Sequence, residues 1–356
     1  MWKINRFPPA GELETKPVLK RCVSAGRVLA ELKGSSLSIP NPAILINTLL
    51  LQEAKDSSAI ENIITTHDDL FKGELYPEAP GNLAAKEVQN YVQALRAGFE
   101  LVRSNGLLTL RTILEIQEVL EKNRAGFRKL SGTELRNEAT GETVYTPPQH
   151  PDEVISLMGT LERFINDSAY DDLDPLVRMA LMHHQFDSIQ PFYDGNGRTG
   201  RILNVLFLVK SGMLDIPVLY LSRRFIEDKG RYYRELQQVR ETGTWEPWLL
   251  YILEAVEDTA RFTLRQVGAI TAALQDYKKR IREQLPKIYS QDLLNNLFAH
   301  PYTKIEFVEH DLGVTRLTAT KYLDLLSEQF VTKHKIGRNN YYVNRALFAI
   351  LSREGL

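Results

Sequence analysis

The sequence predicts a mainly α-helical protein with one small β-hairpin in its middle and a winged helix-turn-helix at its C-terminus. Three observations carry this. Long segments place apolar residues at three- and four-residue spacing, with glycine and proline confined to their ends. The polar stretch from Gly126 to Gln149 breaks that rhythm and holds a β-prone Thr143-Val144-Tyr145 after the turn-prone Ala139-Thr140-Gly141-Glu142. In the last part of the chain the order becomes helix, short glycine-containing turn, helix and β-prone pair.

Taken in order, residues 1–40 are rich in proline, glycine and serine and read as an irregular arm with one short helix over 17–32. A helix follows Asn41-Pro42 through Ala43–Ala54, because proline suits a first turn. Others cover Ala84–Ser104 and Thr109–Lys122, the latter capped by Thr109. The hairpin comes next and ends in Tyr145-Thr146-Pro147-Pro148. Helices are expected over 151–166, 173–187 and 198–211, then over 223–285 with breaks at Gly243 and Pro247. Lys304–Asp311 and Arg316–Gln329 form the C-terminal helix pair, with Phe330–Ile336 and Tyr341–Val343 as strands around Gly337-Arg338-Asn339-Asn340. The resulting units are N-terminal arm and helices over 1–108, a helical core over 109–255, a helical linker over 256–289 and the C-terminal module over 290–356.

Composition narrows the function. A formal net charge of −1 leaves no global field to draw the chain to nucleic acid or membrane. The single Cys22 excludes an intramolecular disulfide and a cysteine-rich zinc site. The first residues lack the apolar core of a signal peptide, and no apolar run approaches the roughly 18 residues of a membrane span, so the expected setting is the cytoplasm, without membrane contact.

The chemistry gathers in Gln190-Pro191-Phe192-Tyr193-Asp194-Gly195-Asn196-Gly197-Arg198-Thr199-Gly200-Arg201, directly before an apolar helical run. A helix start presents unpaired N–H groups and a partial positive charge. Gly195, Gly197 and Gly200 let a phosphate chain approach that backbone without Cβ collision. Arg198 and Arg201 are three apart, so both guanidinium forks can serve phosphate oxygens. Asp194 is placed to tether Mg²⁺ beside those phosphates, or else to cap the helix or pair with Arg198. Asn196 can fix the loop or donate to a phosphate. The loop reads as a site for a Mg²⁺–nucleoside triphosphate, against a bland alternative of a structural turn.

The loop resembles the signature of the Fic family, His-x-Phe-x-Asp/Glu-Gly-Asn-Gly-Arg-x-x-Arg, at every fixed position but the first, where Gln190 stands. The likeness extends to the lead-in His184-Gln185-Phe186-Asp187-Ser188-Ile189 and to Thr143-Val144-Tyr145-Thr146-Pro147-Pro148, which is similar to the flap that holds a target by strand addition. It extends also to Leu219-Tyr220-Leu221-Ser222 with Tyr232-Tyr233, similar to the family's helices near the adenine pocket. It covers roughly residues 110–255 closely and the N-terminal helices more loosely. The resemblance implies the Fic helical bundle and transfer of AMP from ATP, with Mg²⁺, to a Tyr, Thr or Ser hydroxyl of a protein, pyrophosphate leaving. It assigns nucleotide contacts to Gly195, Asn196, Gly197, Arg198, Arg201 and Tyr232, the metal to Asp194, and the target flap to Thr143, Val144 and Tyr145.

Gln190 takes the place of the family's general base. An amide orients a hydroxyl but does not titrate near neutral pH, and losing a general base costs roughly 10²–10⁴ in rate, or about 3–5.5 kcal/mol of barrier. His183 and His184 lie on the preceding helix among apolar neighbours and read as packed residues. An engineered inactivation, a natural pseudoenzyme and a changed chemistry all remain open. Upstream, Ser57-Ser58-Ala59-Ile60-Glu61-Asn62 resembles the family's inhibitory motif, Ser/Thr-x-x-x-Glu-Gly/Asn. Ser57 and Glu61 are four apart and share a helix face. The motif implies that Glu61 pairs with Arg201 and denies it to the γ-phosphate; a solvated glutamate at a helix end is the plain alternative. The same glutamate is implied in removal of AMP, a subsidiary activity.

In the C-terminal module Arg316, Thr318, Lys321 and Tyr322 are placed to face DNA, with Lys333, His334, Lys335 and Arg338 on the wing. Residues 290–356 hold 8 Lys/Arg against 7 Asp/Glu, a net of +1 that is low for DNA binding. A protein-contact or homodimer role is therefore preferred over DNA binding through 303–343. Two functions stand: an autoinhibited protein adenylyltransferase, with self-modification open, and a nucleotide-binding regulator without catalysis that acts through its winged helix. Transfer of a group other than AMP stays open, because the loop reads phosphates more than the base.

Overall fold

The computed structural model describes residues 2–75, 82–136, 140–336 and 339–352. Its first helix is longer than the expected arm allows: α1 spans Lys16–Ser36. Val18, Cys22, Ala25, Val28, Leu29 and Leu32 form its buried stripe. That stripe lies along α11, a 39-residue helix over Glu246–Gln284. Burying each large apolar side chain contributes about 1.5–3 kcal/mol. This outweighs the roughly 1 kcal/mol that Gly26 and Gly34 each cost a helix interior. Thr15 Oγ1 donates to Glu246 Oε2 at 2.5 Å and Ser24 Oγ to Glu257 Oε1 at 2.7 Å, tying the pair together.

Helix α2 (Pro42–Ile60) starts as expected, with Asn41 accepting from Ala43 N. It runs past Ala54, because Ser57, Ser58 and Ile60 in its last turns are buried. Helix α3 (His67–Leu75) was not legible; nine residues with Leu70, Phe71 and Leu75 as apolar anchors are too few to show a period. Helices α4 (Leu83–Asn105) and α5 (Leu110–Glu121) match expectation, and Thr109 caps α5 by accepting from Thr112 N at 3.2 Å. Strands β1 (Leu135–Arg136) and β2 (Thr143–Tyr145) pair antiparallel as the small hairpin. Ala139 of its expected turn lies outside the described residues.

Helix α6 (Pro151–Asn166) leads to the centre of the molecule. In α7 (Pro175–Ile189) every residue from Leu176 onward is buried, and α8 (Asn196–Lys210) buries Arg198 through Leu208. Helices buried all round form the middle of a bundle, and the loop 190–195 joins these two. Helices α9 (Ser222–Glu227) and α10 (Lys229–Thr242) follow. Gly243 caps α10 in a left-handed conformation at φ 75°, and Pro247 sits in the first turn of α11, so both residues mark one helix junction. Helix α11 passes without a break through residues 255 and 256, the expected junction of core and linker.

The C-terminal module runs α12 (Gln291–Ala299), β3 (Tyr302–Thr303), α13 (Ile305–Leu312), α14 (Arg316–Leu326), β4 (Val331–Ile336), β5 (Asn339–Asn344) and α15 (Arg345–Leu351). Its sheet has the order β3-β5-β4, all antiparallel. Asn339 and Asn340 pair with Ile336 and Lys335 as strand residues, which corrects their expected place in the turn. Gly337 and Arg338 lie outside the described residues. The module rests on α2 and α3: Asn47 Nδ2 donates to Ala299 O at 3.1 Å, Gln52 Nε2 to Leu351 O at 2.9 Å, and Tyr302 Oη to Asp68 Oδ1 at 2.7 Å. Among the described residues no helix is long and apolar enough to cross a membrane.

Candidate functional site

Loop 190–195 is held by its own polar groups. Gln190 ends α7 in the left-handed region at φ 48°, and its Nε2 donates to Asp187 O at 3.0 Å. Its Oε1 carries no hydrogen bond among the described residues. Asn196 accepts from Phe192 N through Oδ1 and donates to Phe192 O through Nδ2, each at 2.9 Å. The loop-fixing role of Asn196 is thus the one realised. Arg128, only 1% exposed, donates through Nε to Gln190 O at 2.8 Å and through Nη2 to Pro148 O. One guanidinium therefore joins the end of the flap segment to the loop. No sequence pattern singled out Arg128.

The first backbone bond of α8 runs from Thr199 N to Gly195 O at 2.8 Å, which leaves the amides of Asn196, Gly197 and Arg198 as the donors of a helix start. Gly195 has φ 75°, and a Cβ there would come within 2.2 Å of Glu121 Oε1. Asp194 Oδ1 accepts from Gly195 N at 2.7 Å while remaining exposed, and α8 has no side-chain cap, so the capping alternative for Asp194 is not realised.

The two arginines diverge. Arg198 turns to α4 and α5, bonding Glu87 Oε2 at 3.0 Å and Glu121 Oε1 at 2.9 Å. Burial pushes the Glu121 carboxyl up; Arg198 works against that shift, while Asp194 and Glu87 add to it. Arg201 turns instead to the end of α2. Its Nε donates to Ser57 Oγ at 2.8 Å, and its Nη2 donates to Ser57 O at 2.9 Å and Glu61 Oε1 at 2.8 Å. Burial works against the Arg201 charge, and the Glu61 carboxylate, with Tyr232 and Tyr91, more than offsets it, so the guanidinium is held above its usual range. A Cβ on Gly197 would lie 2.3 Å from Glu61 Oε1. The Glu61 carboxylate therefore sits over the start of α8, in the space an anionic ligand would take. Asn62, just after it, has φ 63°, a backbone region that favours glycine or asparagine and explains the last position of the Ser-x-x-x-Glu-Asn pattern.

Tyr232 does not line this space. It is 1% exposed, donates to Asp187 Oδ2 at 2.8 Å and lies 2.9 Å from His183 Nε2, so its hydroxyl is spent in the core. Its neighbour Tyr233 is 42% exposed and close enough to Arg201 to act on its charge. His183 and His184 are fully buried, and burial holds both below their usual pKa, as packed histidines require. In the flap, Thr143 Oγ1 donates to Glu134 Oε2 at 3.0 Å, Val144 is exposed with its carbonyl accepting from Gln237 Nε2, and Tyr145 Oη donates to Ser188 O at 2.9 Å. The Arg240 guanidinium covers the Tyr145 ring at 3.9 Å. Tyr145 thus anchors the hairpin to the end of α7.

Among the described residues no three His, Cys, Asp or Glu side chains come together to hold a metal. Asp194 offers one exposed carboxylate beside the helix start. That fits Mg²⁺ only when nucleotide phosphates supply further oxygens.

Three family models match consecutive stretches of the chain: the Fic/DOC family N-terminal model over residues 19–100, the Fic/DOC family model over 107–208 and the C-terminal domain of SoFic-like protein adenylyltransferases over 273–347. The protein adenylyltransferase Fic of Drosophila erecta is 27% identical over 177 residues, covering 49% of this chain and 34% of that protein. The protein adenylyltransferase fic-1 of Caenorhabditis briggsae is 28% identical over 160 residues, covering 44% of this chain and 29% of that protein. The chain thus matches about a third of the length of these curated relatives. A Fic family protein from Desulfovibrio desulfuricans shares the fold across 96% of this chain and 99% of its own, with a TM-score of 0.59 at 19% identity. Fic-1 of Caenorhabditis elegans, residues 134–508, aligns over 69% of this chain and 71% of its own, with a TM-score of 0.54 at 21% identity.

Proposed function

We infer that this chain, which carries the N-terminal and central domains of the Fic/DOC family, is a protein adenylyltransferase held shut by Glu61 and slowed at Gln190. Its substrates are ATP with Mg²⁺ and a Tyr, Thr or Ser hydroxyl of a protein. In the transfer, the hydroxyl oxygen bonds to the α-phosphorus, the bond to the β-phosphate oxygen breaks, and pyrophosphate leaves. The hydroxyl proton needs an acceptor. Gln190 can orient the hydroxyl through Oε1 but does not take the proton, so turnover is weak while binding is spared. The amides of α8's first turn and Arg201 would hold the phosphates; Asp194 would hold the metal, which would supply charge neutralisation on the leaving group.

The observation that carries this reading is the Glu61–Arg201 clasp over Gly197. On this reading the carboxylate stands in for a terminal phosphate and occupies the arginine that would bind it. Calorimetry with Mg²⁺–ATP tests it: Glu61→Gly binds more tightly than the parent chain, and equal affinities would count against the brake.

The C-terminal module supports a second, separable reading. Its helix–strand–helix–helix–hairpin order is that of a winged helix, and two of its basic residues are paired with acids. Arg316 pairs with Glu306 at 2.7 Å and Glu309 at 3.5 Å, and Lys333 with Asp324 at 2.7 Å. The exposed face of α14 carries Leu317, 82% exposed, with Lys321 and Asp324, and the exposed Glu328 follows just beyond the helix end. This face suits a protein partner better than DNA. Fluorescence anisotropy with a DNA duplex at about 50 and about 200 mM salt checks this. No salt-sensitive binding is expected; a steep loss of affinity between the two would overturn it.

A further inference from the structure

Two turns before Glu61, on the same face of α2, lies a second carboxylate, Glu53, which is 2% exposed. Glu53, Ser57 and Glu61 follow each other at four-residue steps, so they form one line along the helix. Glu53 Oε2 accepts from Ser222 N at 2.9 Å. Its Oε1 accepts from Ser222 Oγ at 2.5 Å and from Tyr91 Oη at 3.2 Å. The Tyr91 hydroxyl is fully buried on α4, and Ser57 lies one turn further along α2 from Glu53. Ser57 in turn receives Arg201. A second tie, from Tyr220 Oη to Asp56 Oδ2, fastens the same turn of α2 to the segment before α9. Bonds from the start of α9 and from α4 therefore converge on Glu53, and α2 itself carries that seat one turn on to Ser57, which holds the arginine of the phosphate site.

We propose that Glu53 is a positioning residue for the brake: its buried carboxyl seats α2 against α4 and α9, and that seat places Ser57 and Glu61 on Arg201. The proposal rests on the reading of Glu61 as the brake. It predicts that the brake responds to pH. Burial pushes the Glu53 carboxyl up to about 7, with hydrogen bonds from Ser222 and the nearby Arg201 charge only partly opposing it. The charged or titratable groups facing Glu53 are Tyr91 from α4, Arg201 from α8 and Tyr220 before α9, and burial keeps both tyrosines neutral. When α2 lifts away, Glu53 meets water and returns to its ordinary value of 4.5. The seated state therefore binds the proton more tightly. The seat is firmest below that ordinary value, weakens as pH rises through the window up to about 7, and is level above it.

The test is calorimetry of Mg²⁺–ATP with the full chain at several pH values, each variant compared with Glu61→Gly, which carries the nucleotide's own titration but no brake. The affinity deficit of the parent relative to Glu61→Gly should shrink with rising pH, by at most about tenfold per pH unit, and level off above about pH 7. Glu53→Gln keeps an acceptor for Ser222 and does not titrate. Its deficit should stay at the acid-side value across the range. Ser222→Ala, which removes the hydroxyl donor, should reduce the deficit and guards against a folding failure of the first variant. A parent deficit that ignores pH, or a pH response that persists in Glu53→Gln, overturns the proposal while leaving the brake intact. If Glu61→Gly never binds more tightly than the parent, the brake reading fails and the role of Glu53 fails with it.

Discussion

Gly195 shows how much one missing Cβ decides. Its φ of 75° lies where side chains are strained, and the space beside its Cα is filled by Glu121, the partner of Arg198. Gly195→Ala should therefore cost about 1–3 kcal/mol, from backbone strain and a displaced buried ion pair, read as a lower midpoint in thermal or denaturant unfolding; an unchanged midpoint would show that the loop adapts freely. The loop's special residues were legible because glycine, asparagine and acid before a helix have few other uses. What their side chains touch was legible only in part. The motif resemblance implied the Glu61–Arg201 pair, but nothing in the sequence pointed to Glu87 and Glu121 as the partners of Arg198. Tyr232 reads as a pocket residue and is a core residue, because an adjacent pair of tyrosines on a helix puts one ring inward and one outward. Arg128 and Glu53 gave no signal at all, since a buried charge is recognised by its partners and those lie far away in the chain.

At the scale of elements, the central claim lives on α2 and on the α7–loop–α8 unit. The latter is rigid because both its helices are buried on nearly all sides. In the proposed brake it is the end of α2 that yields. Its last turn ends at the Glu61 cap, and Glu61 is about a third exposed. Replacing Glu61 by glycine frees Arg201 for a phosphate. A charge-assisted contact of this kind is worth about 1.5–3 kcal/mol, so ATP affinity should rise by roughly tenfold to a hundredfold. Helix positions were readable wherever an apolar period ran for several turns, as in α4 and α6. The helix expected over 17–32 is α1 with its ends drawn short, because glycines and polar residues disguise part of the stripe that packs on α11; α3 was not legible because it is too short to show a period. The apolar period carried α2 only to Ala54, while the four-residue step from Ser57 to Glu61 already put both on a helix face; tertiary partners show why those turns persist.

For the whole molecule, the long helix α11 and the seating of the C-terminal module on α2 and α3 mean that the brake helix touches both the catalytic bundle and the C-terminal module. A change at either neighbour can reach Glu61 through one element. The fold class was legible, because periodicity survives without knowledge of contacts; the arrangement of the units was not, because it depends on bonds such as Gln52 to Leu351 that span most of the chain. In the proposed function, loop 190–201 is a nucleotide site with two faults, a brake at Glu61 and a missing base at Gln190. It is tested most directly by incubating four chains with labelled ATP, Mg²⁺ and a cell lysate: the parent, Glu61→Gly, Gln190→His and the double variant. Covalent AMP labelling, of the chain itself or of a lysate protein, should be strongest in the double variant, at roughly 10²–10⁴ times the rate of Glu61→Gly alone. A double variant that binds ATP yet transfers no AMP would contradict it.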